Sequence, residues 1–500
     1  MKRFVLATLS LLACGLVSDP ASLYAQAPDL LQDAPATVPT PVTDTLDARL
    51  KALELEVQAL RARPVPEIKP APTPDPLGMS AKWNNGLELN SNNKAFKIHI
   101  GGRTQVDSVF YQNSNSFNNT GGVTDQDSVN LRRARFRMDG TMYEIIDFAF
   151  EYDFANQFNV NPPAPSSSEA NYAAVPAVTD LWINFKQVPI VGNIKVGNFK
   201  DPLGMEHLTS SRYLEFMERS VIQDLFTGSF NNGFTPGIQA WDTFDGEHGT
   251  WATGFFKNNT NIFANGQGDG EYSWTSRLTY LPIYEDNGDV LLHVGIAGSI
   301  RDPNNGTLRY RARPSLRNGP PSGLNPIFVD TGTFACSQQD LLGAELAGNY
   351  GAFSFQSEYM NSWSQNTISN VGPLAGMNVG TASVNSWYVE GLYFLTGETR
   401  PYDRKAGVFT RIVPQENFQF GKGTGAWQVA ARYSRANLND PGINGGQMQD
   451  ATLGLNWFLN PNVKIQTNYV WAYGNQPIYG TARGLNGVAH GVGTRLAIDF

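Results

Sequence analysis

Cysteine is nearly absent from this chain: 500 residues carry two, Cys14 and Cys336. If Cys14 leaves with an export signal, one thiol remains, so no disulfide framework holds the fold together. Charge is also scarce, at 16% of residues with a net of -8. That balance argues against a nucleic-acid partner. No stretch approaches the roughly 18 consecutive apolar residues of a membrane-spanning helix. The five histidines (His99, His207, His248, His293 and His490) lack metal-ligand spacing. Neither a G-x-S-x-G nor a Walker motif occurs, so nothing points to an enzyme, a cofactor or a metal. Gly421-Lys422-Gly423-Thr424-Gly425-Ala426 has the form of a dinucleotide loop but no surrounding βαβ unit, and reads as a turn.

The N-terminus has the marks of export. Lys2-Arg3 precede an apolar stretch over residues 4–13 that is too short to cross a bilayer, and cleavage is expected near Ala25 or Ala27. Leu11-Leu12-Ala13-Cys14 loosely resembles a lipoprotein site; a cysteine inside the signal is the simpler reading. We divide the chain into a signal (residues 1–25), a spacer (26–43), a helical stalk (44–63), a Pro-rich linker (64–80) and a body (81–500). In the stalk Leu46, Leu50, Leu53, Val57 and Leu60 recur at spacings 4-3-4-3, the seam of a short coiled coil, with Asp44 as a candidate N-cap. The alternative is a lone amphipathic helix. The linker, with proline at nearly every second position, is extended and semi-rigid.

From about residue 87 onward, apolar and polar residues alternate with period two between Asn/Gly/Pro turns. Phe148, Phe150, Tyr152 and Phe154 alternate with Ala149, Glu151, Asp153 and Ala155; Trp427, Val429, Ala431 and Tyr433 with Gln428, Ala430, Arg432 and Ser434. The last strand ends on Phe500. A soluble sandwich also alternates. Export, aromatics at strand ends and a terminal aromatic favour an all-β, closed antiparallel transmembrane barrel in outer-membrane lipid. About 410 residues at roughly 20–26 per strand and turn give sixteen to eighteen strands. Residues 112–130, 159–178 and 362–385 read as outer loops. Residues 206–235, with a locally helical stretch at 213–219, are either a surface loop or a loop folded into the pore.

The arginines carry the functional argument. Arg309, Arg311 and Arg313 share one parity and Arg317 follows, so on a strand they would form a ladder. Facing lipid, each would cost about 2–4 kcal/mol near the midplane; the ladder is therefore expected in the lumen, where arginine-lined pores pass anions. Arg103 is expected to face the lumen too. Arg133, Arg135 and Arg137 face together, opposite Ala134, Phe136 and Met138. Arg132 has the lipid parity and requires a rim or a bulge. Pairing with Asp139, Glu151 and Asp153 would make Arg135 and Arg137 wall braces instead.

Several short motifs, in order, resemble the phosphate-selective porins O and P. They include Gly101-Gly102-Arg103, Leu131-Arg132-Arg133-Ala134, the run Gly197-Asn198-Phe199-Lys200-Asp201-Pro202-Leu203-Gly204-Met205-Glu206, and Thr209-Ser210-Ser211-Arg212. Further along come Phe216-Met217-Glu218-Arg219, Phe394-Leu395-Thr396-Gly397-Glu398 and Leu453-Gly454-Leu455-Asn456-Trp457. The resemblance implies a homotrimer of sixteen-stranded barrels conducting inorganic phosphate or other small anions. It places central arginines at Arg103, Arg132 and Arg133, constriction serines at Ser210 and Ser211, a constriction acid at Asp180, and the ladder at Arg309, Arg311, Arg313 and Arg317. It departs at two family lysines, which fall on His207 and on or near Asp147. The function expected is passive, phosphate-preferring anion diffusion; the alternative is a non-selective or structural porin tethered through its stalk.

Overall fold

The computed structural model describes residues 43–61, 78–114, 127–155, 176–228, 233–258, 270–317, 327–476 and 485–500. The chain separates into two compact units, Met1–Thr73 and Pro74–Phe500. In the first, one helix runs over Thr43–Arg61. It contains the heptad positions and begins one residue before Asp44, which therefore lies in its first turn. The expected signal and spacer, and nearly all of the Pro-rich linker, lie outside the described residues.

The second unit is a barrel. Its strands are β1 Phe96–Asn113, β2 Asp127–Met142, β3 Ile146–Asp153, β4 Ala177–Val188, β5 Gly192–Lys200, β6 Phe234–Phe244, β7 Gly249–Lys257 and β8 Tyr272–Glu285. They continue as β9 Val290–Arg301, β10 Gln338–Tyr350, β11 Phe353–Gln365, β12 Ala382–Phe394, β13 Ala426–Asp440, β14 Ile443–Asn460, β15 Val463–Gln476 and β16 Leu485–Asp499. Each pairs antiparallel with its neighbour in sequence, and β16 pairs with β1 from Ala489↔Asn113 to Asp499↔Arg103. The sheet is thus closed, which removes the free edge that hydrocarbon cannot hydrogen-bond. Phe500 completes the seam by exchanging backbone hydrogen bonds with Gly102. A hairpin of Met79–Trp83 and Leu87–Ser91 adds to the start of β1.

Period-two alternation becomes inside and outside as expected. Along β10 Leu342, Ala344 and Leu346 are exposed and the residues between them are buried; outward Leu342 and Leu346 meet lipid while Glu345 faces in. Trp427 and Trp457 sit opposite each other and stack at 5.0 Å. Strand ends are shifted from the sequence reading: β11 runs through Gln365 and β12 starts at Ala382, so the loop expected over 362–385 is shorter. Long connections gather at one end of the barrel and short turns at the other, the arrangement of outer-membrane proteins with the short turns periplasmic. Two connections depart from this pattern: residues 395–425, long at the short-turn end, and residues 441–442, a two-residue turn at the long-connection end.

The lumen is not empty. Residues 201–228 and the described parts of the loop after β9 fold inward and share one apolar core, including Leu203, Met217, Phe226, Tyr310, Leu316 and Phe328. The connection 395–425 also turns inward: Phe409 packs with Met205, and Arg400 pairs with Glu215 at 2.9 Å.

Candidate functional site

The inward course of residues 201–228 is fixed by the barrel wall. Gly204 has φ 96, and a Cβ there would lie 2.6 Å from Glu358 Oε2. The turn it permits lets the amides of Met205 and Glu206 donate to the Glu358 carboxylate on β11, at 3.0 and 2.7 Å. Glu206 in turn accepts from the Ser220 amide and hydroxyl and from Arg432. Further along, Lys464 and Gln466 donate to the Leu214 carbonyl, Asn456 donates to that of Glu215, and the Met217 amide donates to Asn468. These bonds explain why residues 213–219 are not the helix expected there: the wall takes the groups a helix would pair internally. The helical turns are Met205–Leu208 and Gln223–Thr227 instead.

The loop and the β1–β6 side of the wall enclose a cavity of about 600 Å³. Twelve Lys/Arg and six Asp/Glu side chains line it, a formal surplus of six positive charges, in a chain whose net charge is -8. Arg103 donates to Ser211 at 2.7 Å, to Ser210 at 3.2 Å and to Glu151 at 2.6 Å. The motif residues on β1 and on the loop therefore meet. Arg132 is the extra residue where Gln105↔Arg133 is followed by Val106↔Leu131; the bulge required by its parity is there, and it turns the guanidinium inward. Arg132 then binds Glu218 in a fork, at 2.7 and 2.9 Å. Arg133 donates to Gln105 at 2.7 Å and stands 4.0 Å from Glu218. Asp180 accepts from Arg137 at 2.9 Å.

Arg135 and Arg137 make the carboxylate pairs of the wall-bracing alternative. Arg135 binds Glu151 and Asp153 at 2.8 and 2.7 Å, and Arg137 binds Asp139 at 2.9 Å.

The run from Arg309 to Arg313 is not a barrel strand, contrary to the sequence reading. β9 ends at Arg301, and the run belongs to the inward loop, paired only as two-residue strands such as Arg311↔Asp330. Its alternation has a different cause: Tyr310 and Ala312 are buried in the loop's apolar core. Arg309 forks onto Asp330. Arg313 stands 3.6 Å from Asp224, to which Arg317 also donates. Arg317 lines the cavity; Arg309, Arg311 and Arg313 are not among its lining residues.

Sequence reasoning passed over other cavity cations. Lys195 follows the alternation of β5 and could have been found. Lys200 is the last residue of β5 and donates to the His207 carbonyl; Arg219 donates to the carbonyls of Glu206 (2.9 Å) and Thr209 (2.5 Å). Neither sits on a regular lumen-facing position, so parity is blind to them. At the two family lysine positions, burial pushes the His207 imidazole down to about 4 beside Asp201, and Asp147 pairs with Lys186 at 2.9 Å.

The model of the family described as phosphate-selective porin O and P matches residues 98–497. The chain belongs to that family. Porin O of Pseudomonas aeruginosa is 27% identical over 425 residues, covering 80% of this chain and 88% of that one. An uncharacterized protein of Caulobacter vibrioides is 26% identical over 475 residues, covering 91% and 83%. Among solved structures, the outer membrane channel DcaP of Acinetobacter baumannii superposes with a TM-score of 0.47 at 10% identity, over 82% of this chain and 99% of that one. An anion-selective porin from Comamonas acidovorans gives 0.44 at 11%, over 81% and 100%. The protein is an outer-membrane porin.

Proposed function

We propose that this porin is a passive, anion-preferring diffusion channel, with inorganic phosphate among its solutes, working as a homotrimer. The cationic surplus around the loop-walled cavity carries the reading, because a pore selects by the charge along its path and not by the charge of the whole chain. Arg133, Lys200, Arg219 and Arg317 form the anion path, with Arg103 holding Ser210 and Ser211 beside it. Guanidinium suits a phosphate because its fork meets two oxygens at once. Adjacent cations share the load, so no single site traps the solute. The family to which the chain belongs, and the printed name of Porin O, support a phosphate-type solute.

The homotrimer is supported by the N-terminal helix, whose heptad residues Leu50, Leu53 and Val57 are exposed in the single chain and would be covered by a second and third copy.

The test is electrophysiological. In a planar bilayer under a KCl gradient, the wild-type zero-current potential should fall on the anion side. Replacing Arg133 and Lys200 by Glu should move it towards zero, and millimolar phosphate should block wild-type chloride current. A potential unmoved by the double substitution, or phosphate current that simply adds to chloride current, would reject the assignment in favour of a non-selective pore.

A further inference from the structure

One stretch of the cavity wall is aromatic, and it adjoins the arginines: Arg135 stands 5.8 Å from the ring of Phe234. On β4, Leu181 and Ile183 are exposed to lipid, so Trp182 between them faces inward, and it lines the cavity together with Phe199 and Phe234. Among these rings sits Lys195. Its ammonium lies 4.6 Å from the Trp182 ring centre, 5.4 Å from Phe199 and 5.8 Å from Trp241. No carboxylate approaches it within 4.0 Å among the described residues. Lys200 stands 5.7 Å from the ring of Phe234.

The arrangement is held in place. Trp182 pairs with Gly197 across β4 and β5, and a Cβ at Gly197 would lie 2.2 Å from the Leu181 carbonyl and 2.9 Å from Trp182 Cβ. Only glycine lets the strands approach in this way. Trp241 is fixed by donating to Asn184 at 2.9 Å.

Inorganic phosphate has no use for such a wall. It gains from cations and hydroxyls, and indole and phenyl faces give it nothing to bind. An anion with a flat apolar body does gain, because its ring stacks on an aromatic face while its acid group meets the adjacent cation. We propose that the wall of β4, β5 and β6 is a subsite for small aromatic carboxylates, with Trp182 and Phe199 receiving the ring and Lys195 the carboxylate. This extends the anion-channel reading and rests on it.

The experiment compares benzoate with acetate as blockers of chloride current through the purified porin, in the wild type and in Trp182→Ala and Trp182→Phe. Ring stacking predicts half-block by benzoate at about three- to tenfold lower concentration than by acetate. The advantage should persist in Trp182→Phe and vanish in Trp182→Ala. Equal block by both acids in the wild type overturns the subsite, as does an advantage that survives Trp182→Ala. If the alanine variant does not assemble, the wild-type comparison still decides. The zero-current potential is recorded in the same membranes: an anion-side potential without a benzoate advantage sinks the subsite alone, whereas a cation-side potential in the wild type sinks the channel reading beneath it.

Discussion

Glu218 offers the sharpest test of how this pore sets its charge. It lies on the inward loop and accepts from Arg132 in a fork and from Arg495 at 2.8 Å, with Arg317 at 3.8 Å and Arg133 at 4.0 Å. Burial alone would raise its carboxyl; Arg132, Arg133 and Arg495 outweigh burial and hold it well below the usual carboxylate range. Glu218 is therefore an ionised counter-charge on the cavity lining, beside the proposed anion path. Glu218→Gln removes one of six carboxylates from the lining while keeping the side chain's shape. For an anion about 6 Å away in an effective dielectric of about 40, one unit charge is worth roughly 1.4 kcal/mol, or about tenfold in affinity. Half-block of chloride current by phosphate should accordingly move to a concentration about ten times lower. The zero-current potential should shift further to the anion side. Breaking a buried ion cluster also costs about 3–5 kcal/mol of stability, so the heat-induced mobility shift on a gel should occur at lower temperature. A folded Glu218→Gln porin with unchanged or weaker phosphate block would refute the idea that this carboxylate limits anion affinity.

Two more outcomes are expected. Replacing Arg309 and Arg313 together by Gln should change the zero-current potential much less than replacing Arg133 alone, since neither lines the cavity; a shift equal to that of Arg133→Gln in bilayer recordings would restore them to the path. The His207 imidazole, lowered to about 4 by burial, is neutral in the folded protein where an unfolded chain would be protonated. Between about pH 6.5 and 4 the unfolded state then binds more protons, so stability falls as pH falls through that window. A His207→Gln variant should lose part of the acid sensitivity of thermal unfolding, and an unchanged pH profile of that variant would count against the assignment.

Much of the barrel was legible in advance because lipid and lumen impose a strict period of two. Phe148, Phe150 and Tyr152 had to share a face, and Arg132 had to sit at an irregularity, since a guanidinium in hydrocarbon is too costly. The motifs also placed Arg103 with Ser210 and Ser211, 107 and 108 residues apart. The same rule misled at Arg309, Arg311 and Arg313. Alternation records that a segment is extended with two unlike sides, and a loop packed on an apolar core satisfies it as well as a membrane strand does. Chain order did not point to their partners either: Arg309 pairs with Asp330 and Arg313 with Asp224, both remote along the chain.

The sequence alone therefore determined the barrel, its lipid-facing side and the class of charge in its lumen, because these follow from the local cost of burying polar groups. The tertiary structure decided which cations pair with which carboxylates and which of them line the cavity. That depends on where three inward-folded segments meet the wall, through contacts such as Glu358 with the amides of Met205 and Glu206. Coulombic pairing acts through space, and chain order does not encode which charges end up a few ångströms apart.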